Sequence, residues 1–228
     1  MTDWLVIYEK PQIMSSDNWH TPAMSKPTTA SPALLLPGLT AMALLKGVSR
    51  SFYLSIRLLP SALRAPIAVA YLLARATDTL ADTSALPVAD RADMLDNLAR
   101  AIQKGTAADV EKESHVWRTL SARFAALAHD PAEQALLKAL PECLATFRSM
   151  ATADQLDIRQ VLHHITQGQA QDLARFGASS AVQALANAQE VDAYTYSVAG
   201  CVGEFWTTLC FRHVPDFAQL PQAQMAAL

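Results

Sequence analysis

Four polar residues, Tyr71, Arg75, Asp78 and Asp82, interrupt the run of Ala, Leu, Val and Ile that follows Pro66. Their spacing, i, i+4, i+7 and i+11, puts them in one narrow stripe of an α-helix whose other faces are apolar and therefore buried. The stripe ends in two carboxylates one turn apart. Such a pair repels, and burial strengthens the repulsion unless a cation lies between the two. Mg²⁺ suits that position, because it takes oxygen ligands, usually one or two carboxylates plus the phosphates of a substrate. Arg75, one turn earlier, could add a bidentate grip on a phosphate. The chemistry these residues offer is a diphosphate held through Mg²⁺ on the inner wall of a helical cavity. A plainer reading stays open beside it: Asp78 and Arg75 as an ordinary i, i+3 ion pair. Asp109 and Glu113 have the same acidic spacing in the polar setting DVEKE, and they read as a solvated surface.

Three further groups carry polar or small residues where an apolar wall is expected. Ser49, Arg50 and Ser51 stand mid-helix among apolar neighbours. They are either anion donors or, in the case of the serines, partners of their own helix backbone. Val161, Ile165, Gly168 and Asp172 share a stripe on the segment Leu156 to Phe176. A glycine there costs a helix about 1 kcal/mol relative to alanine, and it lets a ligand or another helix approach closely. Asp172 would then be an acid on an inward face, a polar cavity residue or a carboxylate paired with an Arg or His. On Val191 to Leu209, Tyr194, Val198, Cys201 and Phe205 line one face, with Gly200 and Gly203 thinning the helix beside it. Nothing near Cys201 would lower its pKa, so it reads as a small wall residue and not a nucleophile.

The blocks SRSF (Ser49–Phe52), LP (Leu59–Pro60), LR (Leu63–Arg64) and AYLLARATDTLAD (Ala70–Asp82) resemble the squalene and phytoene synthase family. YTYSVAGCVGE (Tyr194–Glu204) extends the resemblance, and QGQAQDL (Gln167–Leu173) is a looser match. The likeness spans roughly residues 40 to 228. It implies an all-α, isoprenoid-synthase-type helical bundle around a central cavity, with Asp78 and Asp82 binding Mg²⁺ and the substrate diphosphate. It also implies diphosphate contacts at Ser49, Arg50, Ser51 and Arg75, and a prenyl tunnel lined by Val198, Ala199, Gly200, Val202 and Gly203. Tyr71 and Tyr194 fall near the reacting carbons, and Asp172 is a polar cavity residue. The implied reaction joins two farnesyl diphosphates head to head through presqualene diphosphate, with NADPH as reductant if squalene is the product. Phytoene or dehydrosqualene synthesis, which needs no NADPH, is the alternative. The family's second aspartate-rich motif has no counterpart before Leu228. The expectation is a bundle incomplete at its C-terminus, or a piece of a longer protein, whose turnover is open and whose role is otherwise that of a non-catalytic prenyl-diphosphate-binding or interaction fragment.

The elements that must position these residues follow from composition. Of 228 residues 51 % are hydrophobic and few are glycine, which favours helices around a large core. Eighteen basic against 21 acidic residues give no footprint for nucleic acid. Three cysteines without metal spacing, and no secretory signal, point to a reducing cytoplasm. No apolar run is long enough and free enough of charge to span a membrane, although a hydrocarbon substrate or product would bring the chain to a membrane surface. Residues 1–38 mix Pro, Ser, Thr and scattered aromatics without period and read as a poorly ordered tail; residues 39–228 read as the helical domain. Within that domain, helices are expected over Leu39–Leu59, from Pro66 to Asp82, from Pro87 or Asp90 to Gly105, through Trp117 to Leu127, and over Ala135–Phe147, Leu156–Phe176 and Val191–Leu209. A loop is expected over Thr106–Lys112.

Overall fold

The structure, a computed structural model, describes residues 41–49, 51–104, 109–177 and 184–218, all within the unit Ser31–Leu228. The expected tail, the expected anion donor Arg50 and the first part of the Thr106–Lys112 loop lie outside these residues. Among the described residues every regular element is a helix, as an Ala- and Leu-rich chain with few glycines dictates. No described helix is long and apolar enough to cross a membrane.

The long helix expected over Leu39–Leu59 is instead two, α1 (Ala41–Ser49) and α2 (Phe52–Leu58). At the end of α1 the Ser49 hydroxyl donates to Leu45 O at 2.5 Å, so its donor is already used within its own helix. Leu59 is extended (ψ 154°) because Pro60 follows it. The central helix α3 begins earlier than expected, at Ser61, and runs to Asp82. Pro66 lies in its second turn, where the missing N–H removes a single bond of the ladder, and the buried ring packs into the core. From Leu63 onward α3 is buried on most of its faces: Ile67, Ala68, Val69, Leu72, Leu73, Ala76 and Leu80 are all within 2 % of full burial.

The scaffold follows as α4 (Val88–Lys104), α5 (Asp109–Ala125), α6 (Pro131–Lys138), α7 (Leu140–Arg148) and α8 (Thr152–Phe176). Helix α5 starts inside the segment expected as a loop, so the loop is shorter than Thr106–Lys112. The single helix expected over Ala135–Phe147 is broken at Ala139, whose ψ of 3° leaves the helical range just before Pro141 opens α7. Asp130 caps α6, accepting from Ala132 N at 2.7 Å with Pro131 behind it. The C-terminal part comprises α9 (Ala188–Thr195), a π turn (Tyr196–Gly200), α10 (Cys201–His213) and a short α11 (Pro215–Ala218).

Helix α3 packs against α8, α4, α7 and α1, and α10 packs against α8 and α3. Two polar clamps fix this frame. Arg91 of α4 donates to Ala81 O at 2.9 Å and to Gly177 O at 3.4 Å, so α3 and α8 end side by side with a cation on their terminal carbonyls. At the far end of α8, Arg212 of α10 donates to Asp157 and Asp154, and His213 Nε2 lies 2.7 Å from Asp154 Oδ1. The first clamp brings the acidic end of α3 and the Asp172 end of α8 to the same end of the molecule.

Candidate functional site

Between α2, α3, α8, the π turn and α10 lies a cavity of about 490 Å³, within the usual range for a small-molecule site. Its walls are mostly apolar: Phe52 and Ile56 from α2, Ile67, Ala70 and Ala74 from α3, Val161, Leu162 and Ile165 from α8, Val198 from the π turn, and Val202, Phe205 and Trp206 from α10. The polar groups on it are few: Tyr71, Arg75, Asp78, Gln169, Asp172 and Tyr194. The polar stripe of α3 thus faces the hollow from Tyr71 to Asp78. Asp82, one turn on, is exposed at the end of α3 and is not among the lining residues.

The plain i, i+3 contact also exists: Arg75 Nη1 donates to Asp78 Oδ2 at 2.5 Å. A residue that sequence reasoning missed joins it, since Arg75 Nη2 donates to Glu133 Oε1 of α6 at 2.5 Å. Burial opposes the charge on Arg75, but Asp78 and Glu133 outweigh it and hold the guanidinium above its ordinary range. For Asp78 the balance runs the other way. Burial and the neighbouring charge of Asp82 push its carboxyl above the usual carboxylate range even though Arg75 pulls it down. Burial likewise raises the Tyr71 phenol, with Arg75 opposing and Asp78 assisting. The Tyr71 ring stacks in a tilted arrangement on Phe52 at 5.7 Å.

Across the cavity, Asp172 Oδ2 accepts from the Tyr194 hydroxyl at 3.2 Å. Each had been singled out on its own stripe; the partner of Asp172 is a tyrosine and not the Arg or His expected of a paired acid. Burial first, and Asp172 second, raise the Tyr194 phenol. Gln169, which shares the cavity face of α8, keeps a buried Oε1 without a hydrogen-bond partner. Its place between Ile165 and Asp172 at i+4 and i−3 is a helical signal that the sequence offered.

Several expected site residues are elsewhere. Ser49 is buried, its hydroxyl spent on Leu45 O, and Ser51 is exposed at the break between α1 and α2; neither lines the cavity. Of the expected tunnel residues Val198 and Val202 are on the wall, whereas Ala199, Gly200 and Gly203 point outward. Cys201 was expected on the same face as Tyr194 and Val198. The π turn widens the helix there, so Val202 continues the face and Cys201 is buried on another side, donating to Ser197 O. Burial raises the Cys201 thiol, with Glu204 adding to the shift, which is the opposite of an activated nucleophile.

Gly168 meets a helix and not a ligand. A Cβ at this position would lie 3.1 Å from Ser197 Cβ and 3.5 Å from Val198 Cγ1. Gly168→Ala is expected to be near neutral, since the gain of about 1 kcal/mol in helix propensity offsets a mild clash. Gly168→Val is expected to cost about 1–3 kcal/mol by forcing the π turn off α8. Thermal melts compare the two; equal melting temperatures would mean that the π turn is not packed on this glycine.

Asp78 and Asp82, one helical turn apart at the end of α3, supply hard oxygen donors. Among the described residues no group of three or more His, Cys, Asp or Glu side chains forms a ready-made cage. That donor set fits Mg²⁺, which is commonly held by one or two carboxylates with phosphate and water oxygens completing its shell, and it does not fit a closed structural metal.

A search among curated proteins returned no match. A family model described as squalene/phytoene synthase matches residues 45–227, which takes in α2, α3, α8, α10 and the whole cavity between them. With the match covering most of the sequence and the polar stripe of α3 facing an apolar hollow, the chain belongs to the squalene/phytoene synthase family, whose enzymes are prenyltransferases acting on prenyl diphosphates.

Proposed function

We propose that the chain is of the squalene synthase type, condensing two farnesyl diphosphates head to head through presqualene diphosphate, with NADPH as the reductant of the second half-reaction. The observation that carries this reading is Asp78 and Arg75 side by side on the rim of a mostly apolar cavity. Asp78 and Asp82 would hold Mg²⁺, which when bound supplies charge stabilisation to a leaving diphosphate. The chain's own groups do the rest. Arg75 donates to the phosphate oxygens through its guanidinium, a charge-assisted contact. Ser51 and Arg50 remain candidate contacts on the resemblance alone, while Ser49, already committed to Leu45 O, is not assigned that role. The wall of Phe52, Tyr71, Tyr194, Phe205 and Trp206 keeps water from an allylic cation, and its ring faces attract positive charge. The Tyr194 hydroxyl, tied to Asp172, fixes one ring against that wall. No residue is assigned to NADPH. The hydrocarbon product partitions into lipid, so peripheral association with the cytoplasmic face of a membrane is part of the reading, and cell fractionation tests it.

Incubation with labelled farnesyl diphosphate and Mg²⁺, with and without NADPH, tests the whole assignment. Squalene appearing only with NADPH supports it. A dehydrosqualene or phytoene product regardless of NADPH assigns the chain to the other branch of the family. Pyrophosphate never released, though farnesyl diphosphate binds, would make the chain a binding protein and overturn the enzymatic reading.

A further inference from the structure

Arg75 is gripped from two helices at once, Nη1 by Asp78 of its own helix and Nη2 by Glu133 of α6, both at 2.5 Å. Its Nε is buried and has no hydrogen-bond acceptor, an arrangement that leaves the guanidinium incompletely satisfied. The two grips are unequal in kind. Glu133 sits in the first turn of α6, where the helix dipole favours a carboxylate and the Asp130 cap pins the backbone. Asp78 borders the cavity, with Asp82 one turn further along the same helix. One carboxylate is a fixed post; the other is the one that a bound cation would take.

We propose that Glu133 is the positioning residue of Arg75, holding Nη2 from α6 while Nη1 passes from Asp78 to the diphosphate of the incoming substrate. This rests on the diphosphate reading above. Without the post, the guanidinium has only Asp78 to lean on. It then competes with the cation for that carboxylate and meets the phosphate without a fixed orientation. Glu133 touches neither substrate nor metal; it acts through Arg75. A simple brace between α3 and α6 would also use this ion pair, but it would contribute to stability and not to phosphate affinity.

Calorimetric titration of the full chain with inorganic pyrophosphate in the presence of Mg²⁺ separates the two. Glu133→Gln is expected to weaken pyrophosphate binding about tenfold, the worth of one charge-assisted hydrogen bond. Glu133→Asp recovers part of the loss. In an Arg75→Gln background, Glu133→Gln is expected to have no further effect, because its only route to the ligand is gone. With farnesyl diphosphate, Glu133→Gln raises KM more than it lowers kcat. Losses that multiply in the double variant, or a Glu133→Gln protein that melts lower yet binds pyrophosphate as the wild type does, would overturn the positioning role. A wild-type chain that binds no Mg²⁺–pyrophosphate would overturn the diphosphate reading itself, and this inference with it.

Discussion

Asp78→Asn is expected to lower Mg²⁺-dependent release of pyrophosphate from farnesyl diphosphate by about 10²–10³-fold, the equivalent of about 3–4 kcal/mol of lost charge stabilisation. The same substitution is expected to leave the ligand-free protein at least as stable as before. Asn keeps an oxygen that can accept from Arg75, and the substitution removes a charge that burial and Asp82 both disfavour. The pH dependence has a definite sign. The folded pKa of Asp78 lies above its unfolded value, so its contribution to stability is full below the ordinary carboxylate range and is lost as pH rises through the folded value. Melting curves should therefore show the wild type losing ground to Asp78→Asn as pH climbs from that range toward neutrality. Saturating Mg²⁺ and pyrophosphate should reverse the order, since a ligand at about 100 times its Kd stabilises the form that binds it by about 2.7 kcal/mol. An Asp78→Asn enzyme with wild-type turnover would remove the carboxylate from the mechanism. A variant that unfolds at neutral pH would show that the Arg75 pair serves the fold first.

The polar stripe was readable because everything it needs is local. A helix carries residues at i, i+4 and i+7 onto one face whatever surrounds it, so Tyr71, Arg75 and Asp78 reach the cavity as their spacing says. Asp82, at i+11, is the exposed last residue of α3, where the stripe runs out of wall. Asp172 and Tyr194 were each flagged by their own helix, but their hydrogen bond depends on how α8 meets α9, which no single helix encodes. Glu133 had no signal at all. In Asp130-Pro131-Ala132-Glu133 it has the look of an ordinary helix start, an acid three residues after a capping acid, and its tertiary partner is 58 positions away. The π turn misled by one residue. The periodicity of Tyr194, Val198 and Cys201 assumes an even helix, and a local widening that leaves no mark in residue type moves the wall to Val202. The division of Leu39–Leu59 was not legible either: α1 ends at Ser49 and α2 opens at Phe52, although the run of residue types on both sides is equally apolar.

If the prenyl chain lies in the apolar hollow, blocking the hollow must separate catalysis from diphosphate binding. Ala70 is the residue to enlarge. It is 5 % exposed, lines the cavity, and lies two turns before Asp78 on α3, away from the rim that Arg75 and Asp78 occupy. An indole at this position would occupy part of a space of about 490 Å³ on the apolar side of the cavity, two turns from Asp78. Displacing about four methylene equivalents of substrate from the wall forfeits about 3 kcal/mol, at about 0.8 kcal/mol each, so kcat/KM for farnesyl diphosphate should fall about 100-fold in Ala70→Trp. Part of the room comes from repacking, and the variant should lose about 1–3 kcal/mol of stability if the ring is forced into the core instead. Pyrophosphate affinity in the presence of Mg²⁺ is the control, since it reads the rim alone and requires a folded site. Ala70→Leu should fall between the wild type and Ala70→Trp, because the loss tracks the volume taken from the chain. A shorter prenyl diphosphate should be less affected than farnesyl diphosphate by either variant. An Ala70→Trp protein that is folded, binds pyrophosphate and still turns over farnesyl diphosphate at the wild-type rate would place the prenyl chain somewhere other than between α3 and α8.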